Sequence, residues 1–526
     1  MTELHYDDWM SENDSVLWHI ERDPLLRSTI TSVWLLDSVP DRDRMDLVLE
    51  RIIANVPRLR QRVVDHSPGV APPRWEYDPD VDVDYHYDWI RLPGRRVGLP
   101  EVLAHARRMA GRSFDKDRPL WELAVVEGLS GKRAAFVMKV HHAIADGLGM
   151  VQLLQHMVDL EADPAPLDRA PLDRSASDRS ASDRSASDAS AGDSSASGAD
   201  VLDESAGLRA LFPELPTITA PLWSIPGARS VSHRVATEAR TGVRLGRASL
   251  RTAGELLTNP RRTIEQLGRT TGSIARVVQP ATAPRSPLMT GRSLNSQLDV
   301  LSVRFRDMRD AARLVDGTIN DVFVTATLDA LDRYHRDAGV ECADVRMNMP
   351  VSVRGGDAAN RFDNQFVPTR MLLPLGGGGA AERLATVKRL LRDVRAEPAL
   401  PHVNDISGVI SRLGPTAAVS VLGAMLKGVD ITTSNVPGPP FPVWMAGSKV
   451  DEFYAFGPLA GSAVNITLFS YDGTVHLGVT TDRAAIPDHD RFMSCLSEAI
   501  EELIDLADHD PNPRPRVEDQ TEAVET

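Results

Sequence analysis

Cysteine is nearly absent: Cys342 and Cys495 are the only two. They lie far apart and match neither a Cys-x-x-Cys pair nor a zinc spacing, so a disulfide framework is not expected and a reducing cytoplasm is the expected setting. No uninterrupted apolar run is long enough to span a bilayer. The opening, MTELHYDDWM, is acidic and lacks the apolar stretch of a secretory signal, so none is expected. Basic charge is in deficit: 59 Lys and Arg stand against 74 Asp and Glu, a formal net charge of -15. That balance argues against a nucleic-acid partner, because a polyanion needs a basic footprint. Any membrane contact is expected to be peripheral.

What remains is globular in character. The 526 residues are 42% hydrophobic and 25% charged, and this length suits two domains. Residues 1–162 mix helical and strand patterns. Arg42 to Asn55 carries Met45, Leu47, Val48, Leu49, Ile52 and Ile53 at helical spacing, and Pro57 should end that helix. Leu120–Gly128 and Ala134–Val140 read as strands joined by a turn at Ser130-Gly131-Lys132.

Residues 163–207 are dominated by a repeated Asp-Arg-Ser-Ala-Ser unit with almost nothing to bury, and are expected to be a disordered insertion. A helical, arginine-rich connector follows at 208–293. In Ala228–Val278 leucines and valines interleave with the arginines, as in a basic amphipathic helix that lies on an anionic lipid surface or packs on acidic neighbours. A second globular segment, 294–508, carries a helix from Asn320 to Arg336, strands at Val345–Met349, Asn465–Ser470 and Val475–Thr480, and a helix from Asp488. The acidic tail, 509–526, is expected to be disordered.

The chemistry concentrates in His141-His142-Ala143-Ile144-Ala145-Asp146-Gly147, directly after the strand Ala134–Val140. Strand side chains alternate faces, so the two histidines should point to opposite sides. Gly147 and Gly149 permit a tight turn into a helix carrying Met150, Leu153 and Leu154. Histidine titrates near neutrality and suits removal of a proton from an attacking alcohol. A core histidine, a metal ligand and a mere Asp-Gly turn are the competing readings. Divergent neighbouring histidines with no third ligand chelate poorly, so no metal is expected. The full seven-residue pattern is much more specific than its parts.

HHAIADG resembles the HHxxxDG signature of the coenzyme A-dependent acyltransferase superfamily. Pro119-Leu120-Trp121, Asn320-Asp321-Val322, Pro350-Val351-Ser352-Val353-Arg354 and Ser434-Asn435-Val436-Pro437-Gly438-Pro439 follow in the order found in the bacterial wax ester synthase/acyl-CoA:diacylglycerol acyltransferase family. Met10–Asp14 fits that family's usual start loosely. The resemblance spans nearly the whole chain outside the serine-rich insertion and the tail.

The resemblance implies an α/β fold of two similar chloramphenicol-acetyltransferase-like halves, with mixed sheets, flanking helices and an active-site channel between them. It implies His142 as general base, with His141 as its structural neighbour and Asp146 and Gly147 orienting the loop. Asp146 is expected to be buried and paired with Arg60. Asn320 and Asp321 would support the site from the second half, with Asn320 also suited to capping the helix that begins at Asp321. Trp121 would fill the core. Arg354 could contact a phosphate of coenzyme A or form a structural ion pair. No cofactor is implied; acyl-CoA is a co-substrate. The implied reaction is transfer of a long-chain acyl group from acyl-CoA to diacylglycerol or a long-chain alcohol, at a membrane or lipid-droplet surface. The alternatives are a same-fold acyltransferase with a carrier-bound donor or polyketide acceptor, and a non-catalytic lipid-binding protein.

Overall fold

The computed structural model describes residues 8–65, 72–94, 96–144, 147–164, 283–352, 366–395, 423 and 426–509. The expectations for the serine-rich insertion, for Ala228–Val278 and for the tail beyond His509 lie outside the described residues. So do those for Asp146 and Arg354.

Fourteen strands are described in chain order: β1 Thr29–Leu36, β2 Gln61–Val64, β3 Arg74–Tyr77, β4 Tyr87–Arg91, β5 Trp121–Glu127, β6 Ala134–His141, β7 Ser296–Arg304, β8 Asp344–Ser352, β9 Phe366–Pro374, β10 Ile431–Pro437, β11 Trp444–Met445, β12 Ser448–Phe456, β13 Val464–Tyr471 and β14 Thr474–Asp482. The described α-helices are α1 Glu12–Ile20, α2 Arg42–Asn55, α3 Val83–His86, α4 Leu99–Ala110, α5 Gly147–Met157, α6 Phe305–Arg313, α7 Ile319–Asp337, α8 Ala380–Arg395 and α9 His489–Asp508.

The strands form two six-stranded sheets, ordered β11-β12-β1-β6-β5-β4 and β7-β14-β13-β10-β8-β9, with a separate β2-β3 ribbon. Both large sheets are mixed. In the first, β4 and β5 run parallel; in the second, β10 runs parallel to both β13 and β8. The local signals explain most elements. All eight residues of β6 are buried, as a central strand covered on both faces requires. In α2 the buried positions are Met45, Val48, Leu49, Ile52 and Ile53, and Asp41 caps the helix by accepting the Arg44 amide at 2.9 Å. In α9 Asp488 does the same for Arg491 at 3.0 Å.

The division of the chain near residue 294 does not coincide with the sheets. Strands β11 and β12 come from the C-terminal segment yet add to the edge of the first sheet, where β12 pairs antiparallel with β1. This crossover seats the halves against each other. Phe453 of β12 stacks on Phe469 of β13 with centroids 4.1 Å apart. Gly478 of β14 allows the closest approach: a Cβ there would stand 2.0 Å from the carbonyl oxygen of Ala455. Ser302 of β7 contacts Tyr454 at 3.0 Å and His476 at 2.9 Å, so a polar network crosses the same junction. Cys342 and Cys495 are free thiols.

Candidate active site

The site begins where β6 ends. His141 is the last strand residue, and His142, Ala143 and Ile144 form the turn that follows. Three backbone amides of this turn have acceptors. His142 N–H donates to the Ser28 carbonyl at 2.7 Å, Ala143 N–H to His141 Nδ1 at 3.0 Å, and Ile144 N–H to the His141 carbonyl at 2.9 Å.

The two rings part as alternation requires. His141 is fully buried, flanked edge-on by Trp18 and Phe114. Its Nδ1 accepts the Ala143 amide, so in the neutral ring the proton sits on Nε2. Nε2 lies 3.0 Å from Glu21 Oε1, off the line of its N–H, so the contact is electrostatic more than a directed hydrogen bond. Burial pushes the Glu21 carboxyl upward, but His141 beside it, the Ser28 amide and the more distant Lys116 outweigh burial and hold it below the usual carboxylate range. Beneath the same face of β6, Lys139 is buried over the Phe114 ring and donates to Glu122 at 2.6 Å.

His142 is half-buried and opens into a cavity of about 360 Å³. The first half contributes Ile30, Met138, Met150 and Leu154 to its walls; Phe469 and Val436 come from the second sheet, and Phe453 from the crossing strand β12. The walls are thus mainly apolar, with Ser32, Ser434, Asn435 and Thr467 as polar points. On β1 the residues alternate: Ile30 and Ser32 face this cavity, whereas Thr29 and Thr31 line a smaller, more polar space of about 100 Å³. Phe456, Gly457 and Pro458 wall both.

The other expected residues fall into distinct places. Asn320 is buried behind the cavity, where its side-chain oxygen accepts from Asn435 Nδ2 at 3.4 Å and its amide reaches Met349 Sδ at 3.7 Å. It does not cap α7. Thr318 is the cap, and Asp321 sits at the third helical position, where its carboxylate accepts Thr318 N–H at 2.7 Å while the Thr318 hydroxyl accepts from Asp321 N–H. Threonine followed three residues later by an acid is a reciprocal cap, and that pairing was legible in Thr318-x-x-Asp321. Trp121 is a core residue: its indole N–H donates to the Leu59 carbonyl at 2.9 Å and its ring stacks on His86 at 4.4 Å. Arg60 lies half-buried over the Tyr77 ring, and Arg58 is the deeply buried arginine of that turn, over Trp75 and donating to Gln61 at 2.6 Å. The expected Arg60–Asp146 pair falls outside the described residues because Asp146 does. Gly147 opens α5. Pro350 lines the cavity, and Arg354, four residues on, is not described.

Glu21 and Ser28 carried no signal in the sequence. They precede the histidines by a long stretch of chain, and only the pairing of β1 with β6 brings them alongside.

The family model for the wax ester synthase/diacylglycerol acyltransferase catalytic domain matches residues 10–323, and that for the WS/DGAT C-terminal domain matches residues 362–504. The chain belongs to the wax ester synthase/diacylglycerol acyltransferase family. As a member of it, the protein is an acyltransferase. It is 31% identical over 513 residues to the Mycobacterium tuberculosis protein named "Putative diacyglycerol O-acyltransferase Rv2484c", covering 97% of this chain and 94% of that one. A second M. tuberculosis relative with the same kind of name, Rv1760, is 28% identical over 493 residues, covering 89% and 84%. The wax ester synthase/diacylglycerol acyltransferase of Marinobacter aquaeolei VT8 shares the fold at a TM-score of 0.56 and 18% identity, over 95% of this chain and all (100%) of that one. The first condensation domain of the calcium-dependent antibiotic synthetase shares it at 0.53 and 17%, over 97% and 98%. Both solved structures therefore share the fold of two mixed-sheet halves described above.

Proposed function

We propose that this acyltransferase moves a long-chain acyl group from acyl-CoA to the hydroxyl of diacylglycerol or of a long-chain alcohol, with His142 as general base. The observation that carries the reading is the opening of His142 into a cavity walled mainly by apolar side chains of both halves. Such walls bury an acyl chain favourably, at roughly 25 cal/mol per Å² of apolar surface removed from water. In this reading His142 takes the acceptor's proton as its oxygen attacks the thioester carbonyl. The carbon–oxygen bond forms, the carbon–sulfur bond breaks, and the proton passes on to the departing thiolate. The thioester is already activated, so no covalent enzyme intermediate is needed. The names of the relatives support diacylglycerol as acceptor.

The deciding assay supplies labelled acyl-CoA with diacylglycerol, hexadecanol and a carrier-bound acyl donor as competing partners. Labelled triacylglycerol or wax ester is the expected product. Turnover confined to the carrier-bound donor, or no turnover with any of them, overturns the reading.

The acceptors are insoluble, so in this reading the enzyme docks on a membrane or lipid droplet. No described helix is long and apolar enough to cross a membrane. The arginines of Ala228–Val278 are the proposed contact, each contributing on the order of 1 kcal/mol near an anionic surface. Wild-type protein should co-sediment with anionic vesicles at low salt, whereas a variant with Arg240, Arg244, Arg247 and Arg251 changed to Gln should not. Equal sedimentation of the two would move the docking surface elsewhere.

A further inference from the structure

Both histidines of the motif are tied to one carboxylate that lies outside it. Glu21 stands just after α1, with its side chain only 7% exposed. Its Oε1 accepts the Ser28 amide at 2.8 Å and lies 3.0 Å from His141 Nε2. Ser28, itself buried, then presents its carbonyl to the His142 amide at 2.7 Å. One short chain of contacts therefore runs from Glu21 through a single residue, Ser28, to the backbone of His142. A second runs from Glu21 to the His141 ring, whose Nδ1 holds the next amide of the turn. Ser28 immediately precedes β1, and its hydroxyl also reaches the Leu26 carbonyl at 3.5 Å.

We infer that Glu21 is a positioning residue for His142, fixing the backbone of the base through Ser28. This rests on the reading of His142 as the base. Glu21 does not face the cavity and touches no reacting atom. Its action is geometric, and what geometry needs is an acceptor oxygen at the right reach. Glutamine keeps that reach and that oxygen without the charge. Aspartate keeps the charge and falls one methylene short.

The ranking of these two variants separates positioning from charge. Glu21→Gln should keep kcat within about threefold of wild type. Glu21→Asp and Glu21→Ala should lower kcat by about tenfold to a hundredfold, the scale of a displacement near 1 Å in a catalytic group. KM for acyl-CoA should hold within about twofold in all of them, since the cavity walls are untouched. Loss of kcat in Glu21→Gln with retention in Glu21→Asp would overturn the proposal, because it would show that the charge matters and the reach does not. Wild-type kcat in a folded Glu21→Ala protein would overturn it as well. If alanine prevents folding, the order of glutamine above aspartate still decides.

A readout independent of turnover keeps the two readings apart. In protein labelled with 15N-histidine, the His142 amide resonance reports the bond to Ser28. It should shift in Glu21→Asp and stay in place in Glu21→Gln. An unmoved resonance in Glu21→Asp refutes the positioning whatever the activity. If the resonance moves in Glu21→Asp while the wild-type protein turns over none of the acyl donors, the positioning stands and the proposed reaction fails.

Discussion

The side-chain amide of Asn435 donates to the side-chain oxygen of Asn320 over 3.4 Å, joining the Ser-Asn-Val-Pro-Gly-Pro segment to the Asn-Asp segment behind the cavity. Asn435 lines the cavity and Asn320 lies beneath it, so one polar contact from α7 steadies a residue of the wall. A double-mutant cycle on Asn320→Ala and Asn435→Ala should show a coupling of about 0.5–1 kcal/mol in kcat/KM. Strict additivity would mean that the two asparagines act independently.

His142→Ala should lower kcat by a factor of roughly 100 to 10,000 with little change in the melting temperature, since the ring faces a cavity. His141→Ala should act on stability instead, because it empties a buried site between Trp18 and Phe114 and leaves the Ala143 amide without its acceptor. Paired kinetic and thermal-melt measurements separate the two. Near-full turnover in the His142 variant would remove the base from the mechanism.

Trp121 fixes the turn that carries Arg58 and Arg60. Trp121→Phe keeps a ring over His86 and loses the hydrogen bond to Leu59, leaving a buried carbonyl unpaired, at a cost of about 1–3 kcal/mol. Trp121→Ala should cost about 3–5 kcal/mol, as for other large core aromatics. Urea titration measures both. Equal costs would mean that the ring adds nothing beyond its N–H.

Ala455 faces the cavity from β12, next to Phe453 and Phe456. Ala455→Leu should shorten the chain that fits. Across a series of acyl-CoA donors, kcat/KM for the longest chains should fall by about tenfold while the shortest are spared, since one or two lost methylenes account for about 1–3 kcal/mol. A uniform loss at every length would place the acyl chain elsewhere.

His476 lies at the junction of the halves, and burial pushes it down to about 4 from an ordinary value near 6.5. Between these values the unfolded chain binds a proton that the folded protein refuses. The contribution of His476 to stability should therefore be flat above about pH 7 and be lost as pH drops from about 6.5 to 4, by about 3 kcal/mol in full. His476→Asn keeps a partner for Ser302 and removes the titration, so its acid limb should be shallower than that of wild type. Carboxylates titrate alike in both proteins, so the difference between their urea-unfolding curves at pH 7.5, 6 and 5 isolates the histidine. Parallel curves would show that His476 is protonated without cost.

The sequence by itself determined many of the local elements. Local signals marked α2, the β5–β6 hairpin, α7 and α9 to within a residue or two, because caps, prolines and apolar periodicity act over a few positions. Strand alternation separated His141 from His142 for the same reason. The reciprocal cap between Thr318 and Asp321 was equally local, though the cap had been expected at Asn320. Only the tertiary structure decided which distant residues meet. The crossing of β12 into the first sheet brings Phe453 and Ala455 to the histidine, and the pairing of β1 with β6 brings Glu21 and Ser28 beneath it. Hydrogen bonds between strands far apart in the chain leave no periodic mark in either one. A carboxylate that orients a catalytic turn from outside the motif looks, in sequence, like any acid at the end of a helix.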